Sequence, residues 1–348
     1  MSEITTVNGL VKWGWATRCV PEALLHSIRP DEEPPRVGDL AVGRILEINQ
    51  HTRVEGRDWR RRTLYPGDLV GGAFGNRYAM DQFEAYVEPF RDCYHLVGVG
   101  GVLASVRTQN ERLIQFPTLI QHLGYVVDDH GDRVSMLEHG LPEACPGPTL
   151  RSAPFTILVV GATMNSGKTT AASYTIMGLS RSGARVCAAK VTGTACAKDP
   201  GLFVDAGAYR VLDFSDCGWP STFLAPMEDL QAIHDRLRSA LMRENPEYIV
   251  LEIADGLWQR ETDMLLRSAT FRHSIDAVIF SASDGHSAES GVRHLRALDY
   301  NVIAVSGLVS TSALGIDEVC RVTGIPCLSK NSLGDGALRP LLRHTLVD

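Results

Sequence analysis

None of the eight cysteines stands in a CxxC pair, and their spacings do not repeat. Zinc knuckles and disulfide frameworks both need such spacing, so both are excluded. No apolar run approaches the ~20 residues that cross a bilayer. The opening MSEITTVNGLVKWGW has no basic segment leading into an apolar one, the pattern of a secretory leader. Basic charge is also short: 34 Lys and Arg against 41 Asp and Glu give a net charge of −7, whereas a nucleic-acid binder shows a basic face. Aromatics make up 7% and form no ladder of the kind that stacks bases. These absences lead to the expectation of a reduced, cytoplasmic, soluble protein with neither a nucleic-acid nor a membrane partner. A hydrophobic share of 44% with 22% charged residues is enough for a real core. The one dense basic cluster, Arg57-Asp-Trp-Arg-Arg-Arg62, is expected as a solvated loop or strand edge, with contact to a substrate phosphate as the alternative.

The chain changes rhythm part-way along. Up to about residue 140, short β-prone runs are broken by Gly-Asp and Pro-Gly turns, as in Val37–Ile48, Tyr65–Gly72, Phe83–Glu88 and His95–Gly101. That density of turn residues predicts a β-rich domain, a small barrel or sandwich. Gly98-Val-Gly-Gly101 lacks the third glycine of a dinucleotide fingerprint and is expected as a tight β-turn. Residues 138–154 hold four prolines and two glycines, a stiff linker. The division expected is therefore 1–150 and 151–348.

Beyond the linker, apolar runs at 155–160, 185–190, 248–254, 277–282 and 301–305 alternate with stretches of helical period. Leu230, Ile233, Leu237 and Leu241 form one helical stripe. Nearly unbroken apolar strands separated by helices predict an α/β domain with a mainly parallel sheet covered on both faces. Ligands in such sheets bind beyond the carboxyl ends of the strands.

At that position after the first strand stands GATMNSGKTT, residues 161–170. Ala162, Thr163, Met164, Asn165, Ser166, Gly167, Lys168, Thr169 and Thr170 make an [AG]-x4-G-K-[ST] phosphate-binding loop, with alanine at the usual first glycine and Gly161 one position earlier. Its backbone N–H groups and the positive end of the following helix are suited to a polyphosphate. Lys168 would meet the terminal phosphates, and the Thr169 hydroxyl a Mg²⁺ ion. No NKxD guanine-specifying motif follows, so ATP is expected over GTP.

With this loop, AAKVTGT (188–194) and VLEIADG (250–256), residues 155 to about 345 resemble the dethiobiotin synthetase-like branch of the P-loop proteins, within the SIMIBI class. The same stretch is also similar to the P-loop D-glutamate N-acetyltransferases. The first resemblance implies Lys190 as a lysine on the transferring phosphate, and Glu252 and Asp205 as Mg²⁺ carboxylates. Asp199, Asp213 and Asp255 compete for those acidic roles. The turn after Glu252, Ile-Ala-Asp-Gly, and the β-rich first domain both depart from a simple synthetase. The resulting expectation is an ATP- and Mg²⁺-dependent ligase or kinase acting on a small-molecule carboxylate or amine, as a homo-oligomer, with a dimer expected. Two alternatives stand beside it: an acyl-CoA-dependent N-acetyltransferase that holds CoA phosphates in the loop, and a nucleotide-gated accessory protein of cofactor biosynthesis.

Overall fold

The computed structural model describes residues 4–7, 9–90, 92–144 and 153–345. The described residues group into two compact units. The first comprises those within 1–142, 193–198 and 214–224, and the second those within 143–192, 199–213 and 225–348. Of the proline-rich stretch expected as a linker, residues 145–152 lie outside the described residues.

In the first unit five strands, β1 (Leu40–Glu47), β2 (Leu69–Phe74), β3 (Cys93–Gly98), β4 (Val102–Gln109) and β5 (Thr118–Val126), close into a ring. β1 pairs with β2, β2 with β4, β4 with β3, β3 with β5, and β5 returns to β1. Only the β2–β4 pair is parallel. Closure leaves these five strands without a bare edge. Gly101 closes the β3–β4 turn, its N–H donating to the Gly98 carbonyl at φ +87°, a conformation that suits glycine. The interior is filled by Ala41, Ile45, Phe74, Tyr94, Leu96, Leu103, Ile120 and Tyr125.

His122 on β5 lies among the rings of Phe90, Tyr94 and Tyr125. Neither of its ring nitrogens has a hydrogen-bond partner among the described residues. Burial, reinforced by the charge of Arg133 and opposed by Asp31, draws its pKa from 6.5 down to about 4. The unfolded chain therefore binds the proton first, and acid favours unfolding. The stability held by neutral His122 is complete above pH 6.5 and is lost as pH falls towards 4. Between pH 6.5 and 5 the loss is about 2 kcal/mol at ~1.4 kcal/mol per pH unit. His122→Phe should flatten the fall in Tm between pH 7 and 5. An unchanged pH slope would assign the acid sensitivity elsewhere.

The second unit is built on six parallel strands: β6 (Phe155–Gly161), β7 (Val186–Lys190), β8 (Arg210–Asp213), β9 (Tyr248–Glu252), β10 (Ala277–Ser281) and β11 (Val302–Ser306). Their order across the sheet is β8-β7-β9-β6-β10-β11. β6, with every residue buried, is central. The chain runs out from it to β7 and β8 on one side, returns through β9, and then builds β10 and β11 on the other. The carboxyl end of β6 is thus the point at which the winding reverses, where α/β sheets open a crevice. Helix α1 (Lys168–Arg181) follows β6, α2 (Lys198–Asp205) follows β7, and α3 (Met227–Met242) precedes β9. The stripe Leu230, Ile233, Leu237 and Leu241 is the buried face of α3. Later helices α4 (Gly285–Ala297) and α5 (Ala313–Thr323) flank β11 in sequence. No helix among the described residues is long and apolar enough to cross a membrane.

Candidate functional site

The phosphate-binding sequence forms the loop between β6 and α1, and several close approaches shape it. A Cβ at Gly161 would collide with the Ser166 hydroxyl and crowd the Lys168 stem. This is why glycine stands at 161, while Ala162, one place on, keeps its methyl group. Asn165 has φ +63° and Gly167 φ +100°, so the loop turns twice through left-handed backbone before α1 begins. This is the geometry of a P-loop. The Gly167 Cα side abuts Gly307, after β11, and the Leu308 N–H donates to the Ser166 carbonyl at 3.0 Å. Gly307 itself, at φ +95°, has no room for a Cβ against that same carbonyl. Gly307→Ala should therefore push the loop out of shape and cost roughly 1–3 kcal/mol. Differential scanning calorimetry would show it as a lowered Tm. An unchanged Tm would mean that the loop is held without this contact.

Lys168 is buried, 6% exposed, and its ammonium donates to the Thr163 carbonyl at 2.9 Å. Burial holds its pKa below the ordinary lysine value, with the charges of Glu252 and Asp255 opposing. The Thr169 hydroxyl donates to Glu252 Oε1 at 3.0 Å. Glu252, 1% exposed, ends β9, next to β6 in the sheet. Its second oxygen, Oε2, is buried with no hydrogen-bond partner among the described residues. Desolvation pushes the Glu252 carboxyl above the usual carboxylate range, and Lys190 is the main group opposing it.

Register sets the rest of the cluster. Lys190 is the cross-strand neighbour of both Asp213 and Glu252, so three charged residues lie in one row at the carboxyl ends of β8, β7 and β9. The Lys190 ammonium stands 3.4 Å from Glu252 Oε1 and is paired with Asp199 on α2. Asp199 is in the first turn of α2. Asp205 is its last residue and is exposed. Six residues of helix put them ~9 Å apart along the axis. The structure thus brings Lys168, Thr169, Lys190 and Glu252 together and does not bring Asp205 to them. Asp199 is the α2 carboxylate at the cluster, because α2 starts soon after β7 ends and its first turn stays near that strand end. Asp255 takes φ +60°, and the next residue, Gly256, packs against the Ala162 carbonyl, which leaves no space for a side chain.

A carboxylate oxygen left alone in a dry site is costly, and a hard divalent cation is a natural partner for it. Thr169, Glu252 and phosphate oxygens are the donor set Mg²⁺ takes. Among the described residues no three His, Cys, Asp or Glu side chains form a metal site by themselves. The residues present fit a cation that arrives with a polyphosphate.

Other polar residues at the loops have structural duties. Asp284 caps α4 by accepting from the Ser287 N–H, with the Ser287 hydroxyl reaching back. His286 is exposed on the first turn of that helix. In the first unit, Asn76 accepts from the Val87 N–H, and Arg77 donates to the Val97 carbonyl and to Gln82. Sequence reasoning missed Thr192, whose hydroxyl accepts from the Ala254 N–H and steadies the turn after Glu252. It also missed Gly307, whose only signal was a lone glycine after an apolar strand.

No protein-family model matches this chain, and no curated protein matches it. Solved structures do. The signal recognition particle 54 kDa protein of Aeropyrum pernix K1 in complex with GDP is 19% identical, with 58% of this chain and 50% of that one covered and a TM-score of 0.39. The signal recognition particle receptor FtsY of Elizabethkingia anophelis in complex with GDP is 14% identical, with 57% and 64% covered and a TM-score of 0.38. The cell division protein FtsY of Thermotoga maritima is 19% identical, with 57% and 69% covered and a TM-score of 0.38. This chain covers half of the first and less than two thirds of the second.

Proposed function

We propose that the protein is a Mg²⁺- and ATP-dependent enzyme that transfers the terminal phosphoryl group to a small molecule bearing a carboxylate or an amine. The observation that carries this reading is the Thr169–Glu252 contact beside the loop, with Glu252 Oε2 buried and unpartnered among the described residues. An acid so placed serves a metal–triphosphate, whereas CoA phosphates need no such group. The resemblance to dethiobiotin synthetase-like proteins points the same way.

The loop amides and the amino end of α1 would hold the phosphates. Lys168 would leave the Thr163 carbonyl for the β- and γ-phosphates and bring its charge to the bond that breaks. Lys190, fixed by Asp199, would face the transferring group from the β7 side. Thr169 and Glu252 would hold Mg²⁺, which neutralises charge on the phosphate oxygens when bound. Chemistry of this kind asks the protein for position and charge more than for covalent steps. A carboxylate acceptor would become an acyl phosphate, and capture of that by a nucleophile would make the enzyme a ligase.

Thermal-shift measurements with ATP, GTP and acetyl-CoA, each with and without Mg²⁺, test the reading. A ligand at 100 times its Kd adds about 2.7 kcal/mol. The expected result is a Mg²⁺-dependent shift with ATP, followed by ADP release stimulated by some members of a panel of carboxylates and amines. A shift with acetyl-CoA alone would overturn the phosphoryl-transfer reading in favour of acyl transfer.

A further inference from the structure

Within the first unit, the basic cluster of the sequence forms a hairpin, Arg53–Glu55 paired with Arg61–Thr63. Beside it lies a cavity of about 490 Å³ whose wall includes Val11, Trp13, Glu22, Leu25, Arg57 and Arg62. That volume is in the range of small-molecule sites.

The charges in this wall are not all available. Arg62 is spent on Asp58, with both terminal nitrogens on the two carboxylate oxygens at 2.8 Å. Arg57 is anchored by one nitrogen only: its Nη2 donates to the Val20 carbonyl at 2.7 Å and reaches the Arg18 carbonyl at 3.4 Å. Among the described residues its Nε and Nη1 have no acceptor. Glu22 likewise carries no ion pair or hydrogen bond through its carboxylate among the described residues. Its charge nonetheless acts on Arg57, which is half-buried. The cavity thus offers one held cation with donors to spare, one uncommitted anion near it, and an apolar surface from Val11, Trp13 and Leu25.

A simple anion would meet Glu22 and a simple cation would meet Arg57, each unfavourably. A phosphate would want a second uncommitted cation; Arg62 is held by Asp58, and His26, the other basic residue of the wall, faces Asp129 at 3.9 Å. A zwitterion satisfies both groups. We propose that this cavity binds a free α-amino acid with an apolar side chain, its carboxylate on Arg57, its ammonium on Glu22 and its side chain against Trp13, Val11 and Leu25. The lining residues named all belong to the first unit, and this binding does not depend on the function proposed for the P-loop.

The test is thermal-shift and Trp-fluorescence titration of the full chain with L-leucine and L-phenylalanine at millimolar concentration, beside leucinamide and N-acetyl-leucine. The free amino acids should raise Tm, and each capped form, lacking one charge, should bind at least about tenfold more weakly. Glu22→Gln should lose the same factor for L-phenylalanine with its unliganded Tm unchanged, since the Glu22 carboxylate bonds to no other side chain or backbone group among the described residues. Lys168→Ala should keep the amino-acid response in full, which separates this site from the nucleotide site. No shift with either amino acid, an equal shift with the capped forms, or full binding by Glu22→Gln would each overturn the proposal.

Discussion

Lys168→Ala is expected to abolish the nucleotide-induced thermal shift and to lower kcat/KM for ATP turnover by at least 10²–10³-fold, on the order of 3–4 kcal/mol of transition-state stabilisation. The size follows from where the ammonium sits. It is a buried point charge at the mouth of a loop of backbone donors, in a setting where water screens little. Without nucleotide the variant should melt within a few degrees of the parent. The ammonium donates to the Thr163 carbonyl, and removing a desolvated charge offsets the loss of that bond. Isothermal titration with ATP and Mg²⁺, together with a coupled ADP-release assay, measures both halves. Retained turnover in a folded Lys168→Ala protein would remove the P-loop from the chemistry.

The second large effect belongs to Glu252. Glu252→Ala should remove the Mg²⁺-dependent part of ATP binding and lower turnover by roughly 10²–10³-fold. ATP binding measured in EDTA should change little, because the loop amides and Lys168 remain. The conservative Glu252→Gln should be as inactive as the alanine variant, since an amide is a poor ligand for Mg²⁺ in place of a carboxylate. Its unliganded Tm should match or exceed the parent's. Desolvation is the leading influence on this carboxyl, and Lys190 keeps Asp199 as partner when Glu252 is gone. Full Mg²⁺-dependent activity in Glu252→Gln would transfer the metal role to another acid of the cluster, Asp199 or Asp255.

These two residues also show how far the site is legible in the sequence. Lys168 lies in a contiguous motif whose spacing carries its own mechanism, so its place can be read directly. Glu252 is visible as a carboxylate in an otherwise apolar strand, a position that calls for a cation. Asp199 and Asp205 cannot be told apart in the same way. Their positions relative to Lys190 depend on where α2 starts, and a sequence marks helix ends loosely. Strand β8 escapes a reading by pattern altogether. Its four residues, Arg-Val-Leu-Asp, have an exposed charged start and lie at the sheet edge, paired on one side only, so no periodic signal has room to develop.

What the sequence determined by itself is whatever rests on local pattern. The unbroken apolar strands required a buried parallel sheet, the stripe on α3 required a helix packed along one face, and Gly-Lys-Thr after a strand required a phosphate loop. What only the tertiary structure decided is whatever rests on register and closure. The pairing of β7 with β8 and β9 puts Asp213, Lys190 and Glu252 in one row, though Lys190 and Glu252 are far apart along the chain. The return of β5 to β1 turns a run of short strands into a closed ring. A short apolar strand carries little information about its neighbours, because many strands of similar composition could pair with it. The choice among them comes from the packing of the whole sheet.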